Sequence, residues 1–184
     1  MTDLPNWSLR RREHLQQLRR VLQAPDFLPD GAAIAALEQD FSATWKGLRV
    51  RGIVDRVDRT PEGIALVDYK TRASKPVGAK DGSGKTRLDV QIPLYLQAAA
   101  PALFPGEAVA AAHYYSLTRA RKLPAVRIDD EALTALAGEV ETRLREGAYP
   151  VAPDVERNAC HYCDFDLLCR RGPRLERKES GTAP

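Results

Sequence analysis

Between Arg49 and Lys70 the chain carries two β-branched runs in which apolar and polar residues alternate. They are Arg49-Val-Arg-Gly-Ile-Val-Asp-Arg-Val-Asp-Arg59 and Ile64-Ala-Leu-Val-Asp-Tyr-Lys70, separated by Thr60-Pro-Glu-Gly63. Proline second and glycine last is good turn chemistry, so the pattern predicts a β-hairpin. With these four residues as the turn, Arg59 opposes Ile64, and counting back places Asp55 opposite Asp68. Strand side chains alternate between faces. One face is then expected to hold Ile53, Asp55, Val57 and Arg59 from the first strand, and Ile64, Leu66, Asp68 and Lys70 from the second.

Around this hairpin the periodicity changes. Ser8 to Gln23 has Leu15, Leu18 and Leu22 at helical spacing among many arginines, which predicts a helix N-capped by Ser8 with one strongly basic face. Ala24 to Asp30 reads as a loop with two prolines, Gly31 to Asp40 as a short Ala-rich helix or approach segment, and Phe41 to Leu48 as the opening of a strand beside the hairpin. Asp89 to Phe104 predicts a helix with Pro93 in its first turn and with Gln91 and Tyr95, four apart, on one face. Ala108 to Leu117 predicts a strand containing Tyr114 and Tyr115, with His113 as a packed edge residue. Asp129 to Glu146 predicts a helix capped by Asp129 or Asp130, with apolar positions Leu133, Leu136, Val140 and Leu144 and a charged outward face.

Length and charge narrow the class. At 184 residues the chain is long enough for one domain with a proper core and short for two. Lys and Arg exceed Asp and Glu by 28 to 25, so the net charge of +3 does not by itself argue for nucleic acid. The clustering of the charge says more. Arg72 to Arg87 is a basic, Gly- and Ser-rich loop, suited to salt-sensitive contacts with a phosphate backbone. Its Gly84-Lys85-Thr86 resembles the end of a P-loop, but position 79 is alanine where that motif needs glycine, which excludes nucleotide binding. No apolar run reaches the length of a membrane span, and the first residues lack the regions of a signal peptide, so a cytoplasmic protein is expected.

The chemistry lies in the hairpin. Directly opposed strand residues have Cβ atoms about 5 Å apart, and like charges there destabilise a sheet. A hard divalent cation between Asp55 and Asp68 would offset the repulsion, and Lys70, two residues on, would face a phosphate or water bound there. In combination, Gly52-Ile-Val-Asp-Arg-Val-Asp58, Val67-Asp-Tyr-Lys-Thr71 and Gln91-Ile-Pro-Leu-Tyr95 resemble the PD-(D/E)XK nuclease superfamily, in its RecB/AddB-like and Cas4-like branch. The resemblance covers roughly residues 38 to 171 and implies an α/β, restriction-endonuclease-like core with a central mixed sheet flanked by helices. It places catalytic roles on Asp55, Asp68, Lys70, Gln91 and Tyr95. Mg2+ or Mn2+ would be held by Asp55, Asp68 and the backbone carbonyl of Tyr69. Members of this branch often bring a His or Glu from an upstream helix, which makes His14 a further candidate ligand and Glu13 its alternative. A Glu commonly precedes the first core strand in these relatives; Glu38 stands in a similar place, in a structural or substrate-facing role.

The three cysteines form C-x2-C-x5-C as Cys160, Cys163 and Cys169, a thiolate spacing that suits zinc or an iron-sulfur cluster. In the branch named above, the same pattern is the C-terminal part of a [4Fe-4S] clasp whose fourth Cys lies upstream. This chain has no fourth Cys, which leaves a ligand from a preceding portion, a His such as His161 or His14, or a packed clasp without a cluster. The expected division is a single domain: an N-terminal helical region 1–37, a nuclease core 38–150, a cysteine clasp 151–171 and a basic tail 172–184. The resulting expectation is a DNA exonuclease of repair or recombination, acting on single-stranded or duplex ends, with a helicase or other repair protein as partner. Two other classes compete with it: a noncatalytic DNA-binding or scaffold module of a helicase-nuclease complex, and a zinc-binding interaction module.

Overall fold

The computed structural model describes residues 6–76, 78–80 and 87–148. Met1–Glu141 form one compact unit and Thr142–Pro184 a second, and the site discussed below lies within the first. The order of elements is α1 (Trp7–Leu22), β1 (Ala33–Trp45), β2 (Leu48–Thr60), β3 (Gly63–Lys70), β4 (Ala79–Lys80), β5 (Arg87–Leu88), α2 (Gln91–Leu94), a π-helical turn (Tyr95–Ala99), α3 (Ala100–Leu103), β6 (Val109–Ser116), β7 (Arg121–Lys122) and α4 (Asp130–Glu146).

A five-stranded mixed sheet runs in the order β1-β2-β3-β6-β7, antiparallel except for the parallel pair β3 and β6. A parallel neighbour needs a crossover. The chain from Lys70 to Val109 supplies one, carrying β4, β5 and the helical stretch from α2 to α3. That stretch packs on one face of the sheet, where Tyr95, Ala99 and Ala100 share a core with Phe41, Val54, Val57, Ile64 and Leu66. On the other face Val21 of α1 packs with Val67 and Tyr115, flanked by Phe27 and Tyr69.

The helical stretch starts at Gln91, two residues after the predicted Asp89, with Pro93 near its beginning, where a missing N–H does no harm. It is not uniform. Pro101 has no N–H to offer the carbonyl of Gln97, and its ring would crowd that oxygen in a regular helix. The wider turn Tyr95–Ala99 ends two residues before it, where the ladder of a regular helix would be interrupted.

Two local expectations are corrected. Gly31 to Asp40 is not an Ala-rich helix: Ala33 to Asp40 belongs to β1, paired with β2 from Ala33↔Arg59 to Trp45↔Leu48. The long antiparallel ladder overrides the helix propensity of alanine, which is a weak preference beside tertiary pairing. At α1 the N-cap is Asn6, in a left-handed conformation with φ 63° and no side-chain cap bond, so Ser8 lies inside the helix. At α4 the cap is as expected, since Asp129 Oδ1 accepts the N–H of Ala132 at 3.0 Å. The stretch expected to be a basic loop also contains the small β4–β5 pair.

A third correction bears on the site. Val54 and Val57 are an odd number of residues apart, yet both are fully buried in the core beneath the helical stretch. Ile53, expected to share a face with Val57, is exposed. The alternation of β2 therefore reverses at Asp55. On β1 the same reversal separates Ala36 from Phe41, both of which pack on that core. Between them Glu38 has φ 48°, a conformation that side-chain-bearing residues adopt only at a cost. Leu37↔Arg56 and Gln39↔Val54 pair on either side, so Glu38 and Asp55 face each other across the break.

Candidate active site

The hairpin register is the one counted from the turn. Arg59↔Ile64, Asp58↔Ala65, Val57↔Leu66 and Arg56↔Val67 are partners. The next pair would be Asp55 and Asp68, and here the backbone ladder stops. Asp55 Oδ2 instead accepts the N–H of Tyr69 at 2.8 Å, so its carboxylate replaces a strand carbonyl as acceptor. This substitution lets the two strands part while leaving the amide satisfied.

Asp68, one residue further along β3, is 3% exposed. Its Oδ1 accepts a short hydrogen bond from Gln91 Nε2. Its Oδ2 lies 2.6 Å from Lys70 Nζ, an ion pair in which this oxygen gains no well-aligned hydrogen bond. Burial is the largest influence on Asp68 and raises its pKa above the usual carboxylate value; Lys70 pulls it down, and the charge of Asp55 pushes it up again. The carboxyl is thus held in a position that favours neutralisation by a proton or a cation.

Gln91 ties the group together. Its Nε2 also donates to the Tyr95 hydroxyl at 3.1 Å, while its Oε1 accepts from Lys70 Nζ at 3.2 Å. The Tyr95 hydroxyl in turn donates to the carbonyl of Ile53 at 3.1 Å. Burial raises the Tyr95 pKa to about 12, so the phenol remains a donor at neutral pH. Asp55, Asp68, Lys70, Gln91 and Tyr95, predicted from three separate stretches, are thus brought together at the end of β3.

The remaining predicted residues fall elsewhere. Tyr69 stands between Asp68 and Lys70, with its N–H on Asp55 and its hydroxyl on the far face, where it accepts from Arg56 Nη1 at 2.8 Å. His14 and Glu13 are exposed on α1, whose buried residue Val21 packs on the face opposite the helical stretch. Among the described residues no group of three His, Cys, Asp or Glu side chains is gathered for a metal ion. His113 is packed within β6 beside Val67, and burial lowers its pKa to about 4, which keeps it neutral. Cys160, His161, Cys163, Cys169, the basic tail and Gly84-Lys85-Thr86 lie outside the described residues.

Two groups escaped the sequence reading. Behind Lys70, the ring of Tyr114 lies 5.1 Å from the ammonium, and its hydroxyl donates to both oxygens of Asp89 at 3.0 Å. On the far face Arg56, 1% exposed, donates to Phe27 O at 2.6 Å and pairs with Asp58 Oδ2 at 2.8 Å, while its guanidinium stacks 4.4 Å from the Phe27 ring. The clue to the second was the polar alternation of Arg56 and Asp58. Tyr114 gave no such clue, because its place depends on a parallel pairing made through the crossover.

No described helix is long and apolar enough to cross a membrane. No curated protein and no solved structure gives a significant match to the chain. A family model does: that of the PD-(D/E)XK nuclease superfamily matches residues 2–170, nearly the whole chain and all of the residues gathered at the end of β3. A mixed α/β sheet with its acidic pair beside a lysine on adjoining central strands accords with that match, and the chain belongs to the PD-(D/E)XK nuclease superfamily.

Proposed function

We propose that this protein is a metal-dependent deoxyribonuclease of the RecB/AddB-like and Cas4-like branch, an exonuclease serving DNA repair or recombination. The observation that carries the reading is Asp68, a buried carboxylate held between Lys70 and Gln91 beside the charge of Asp55. Lys70 supplies one positive charge beside two carboxylates, and buried carboxylates are costly unless enough cationic charge shares them.

The residues fit a hard divalent ion. Asp68 Oδ2 lacks a well-aligned hydrogen bond, and Asp55 adds a second hard oxygen donor on the neighbouring strand. Two carboxylates are enough for Mg2+, which keeps several waters and takes phosphate oxygens as further ligands. Asp55, Asp68 and the Tyr69 carbonyl would hold Mg2+ or Mn2+, which when bound polarises the scissile phosphate and acidifies a water.

The chain's own groups do the rest. Gln91 fixes the Asp68 carboxylate with its amide N–H and the Lys70 ammonium with its carbonyl, so that neither turns away. Lys70, charged beside Asp68, orients the attacking water and stabilises the negative charge that grows on the phosphate. The water oxygen bonds to phosphorus, the ester P–O bond to the leaving oxygen breaks, one proton of the water ends on that oxygen and the other passes to solvent, and the products are a phosphate end and a hydroxyl end. Tyr95 holds Gln91 against the backbone of β2. Cys160, Cys163 and Cys169 would add a zinc or iron-sulfur clasp, and a helicase or other repair protein would deliver the DNA end.

The test is cleavage of end-labelled single- and double-stranded linear DNA with Mg2+, Mn2+ or EDTA. Cleavage with either metal is expected, with loss of about 100-fold or more in Asp68→Ala and Lys70→Ala. The product ladder then gives the polarity. DNA binding without cleavage under every condition would move the reading to the noncatalytic module.

A further inference from the structure

We infer that Tyr114, acting with Asp89, is a positioning residue of this site: its ring seats the Lys70 ammonium, and its hydroxyl fixes the start of the helix that presents Gln91 and Tyr95. The inference deepens the nuclease reading and rests on it for its kinetic consequence.

Tyr114 is the partner of Asp68 across the parallel β3–β6 ladder, and Lys70 lies two residues further along the same strand. Its side chain is buried with Ile92 and Leu123. From there it reaches two sides of the site. The ring face meets Lys70 Nζ at 5.1 Å, within the range at which an aromatic quadrupole attracts a cation. The ammonium is then bounded by three kinds of partner: the carboxylate of Asp68, the amide oxygen of Gln91 and this ring.

The hydroxyl contacts both oxygens of Asp89. Asp89 Oδ1 also accepts the N–H of Ile92 at 3.0 Å, a contact from just ahead of the N-cap Val90 into the first turn of the helix holding Gln91. Gln91 Oε1 lies 3.5 Å from the same hydroxyl. Tyr114 thus links the strand that bears the charged pair to the helix that bears the neutral groups. Burial and the neighbouring Asp89 raise its pKa, which keeps the phenol protonated and donating. A leucine would fill much of the space and make neither contact; a phenylalanine would keep the ring alone.

That difference supplies the test, made on the full chain with Tyr114→Phe and Tyr114→Leu, each checked for cooperative thermal unfolding. The first readout needs no activity. The Lys70 ε-methylene resonance, assigned by its disappearance in Lys70→Arg, is expected to be ring-current shifted in the native protein and in Tyr114→Phe, and to lose that shift in Tyr114→Leu. The second is kinetic. Tyr114→Leu is expected to lower kcat by about 10-fold with KM within about twofold, and Tyr114→Phe by about threefold. A Lys70 resonance indifferent to the leucine, or native kcat in the folded leucine variant, would overturn the inference. Native protein that cleaves no DNA would overturn the nuclease reading, and the resonance would still decide whether Tyr114 seats Lys70.

Discussion

At the scale of single residues, Asp68 couples stability to pH. Its pKa is raised chiefly by burial, so the folded protein binds a proton at this position more tightly than the unfolded chain does. The sign follows directly. The benefit of the buried acid is fully present below the ordinary value of 3.8 and is lost as pH rises through the higher folded value. In EDTA, the stability of the native protein relative to Asp68→Asn is therefore expected to fall as pH rises through this range, with Mg2+ restoring it at neutral pH. Thermal unfolding of both proteins between about pH 3 and 8 checks it, and a native protein that loses stability relative to Asp68→Asn as the solution is made more acidic would contradict it. The five residues at the site were legible because each sits at a fixed offset from a turn or a helix start. The conformation of Asp55 was not. Its carboxylate takes the place of a backbone acceptor, and alternation rules assume that side chains stay out of the ladder.

At the scale of elements, the turn at Thr60–Gly63 makes the register legible in the sequence, because turn length dictates which residues pair. Gly63 does more than end the turn. With φ 131° it occupies a region that other residues rarely enter, and a Cβ there would collide with the carbonyl of Ala108. That carbonyl accepts the N–H of Ile64 at 2.8 Å where β3 meets β6. Gly63→Ala is expected to cost about 2 kcal/mol or more and to lower Tm by at least about 4 °C, measured by thermal unfolding. A neutral result would mean that the start of β6 can move aside freely. The strand character of Ala33 to Asp40 was not legible, since an Ala-rich segment states its pairing only once β2 lies beside it. The face reversal at Glu38 and Asp55 has the same origin. It appears only when two strands and the helical stretch above them are considered together.

For the whole molecule, the superfamily match over residues 2–170 and the mixed sheet agree on a nuclease fold, and the sheet lies within the compact unit Met1–Glu141. The cysteines are a separate question with a direct measurement. Anaerobically purified protein is expected to carry iron with labile sulfide, or zinc, and to lose it in Cys163→Ser. Protein with neither metal would remove the clasp from the proposal and leave the site at the end of β3 untouched.

The parallel pairing of β3 and β6 has a consequence in time. The β1–β2–β3 meander is made of contacts between chain neighbours and can form early. Joining β6 to β3 must wait until the crossover between Lys70 and Val109 has closed, because non-local pairing bears the loop entropy first. Asp55, Asp68 and Lys70 all lie on the early part, while Gln91, Tyr95 and Tyr114 arrive with the late part. A half-folded chain therefore displays its acidic pair without the groups that aim it. The group at the end of β3 is therefore assembled by the same event that completes the sheet.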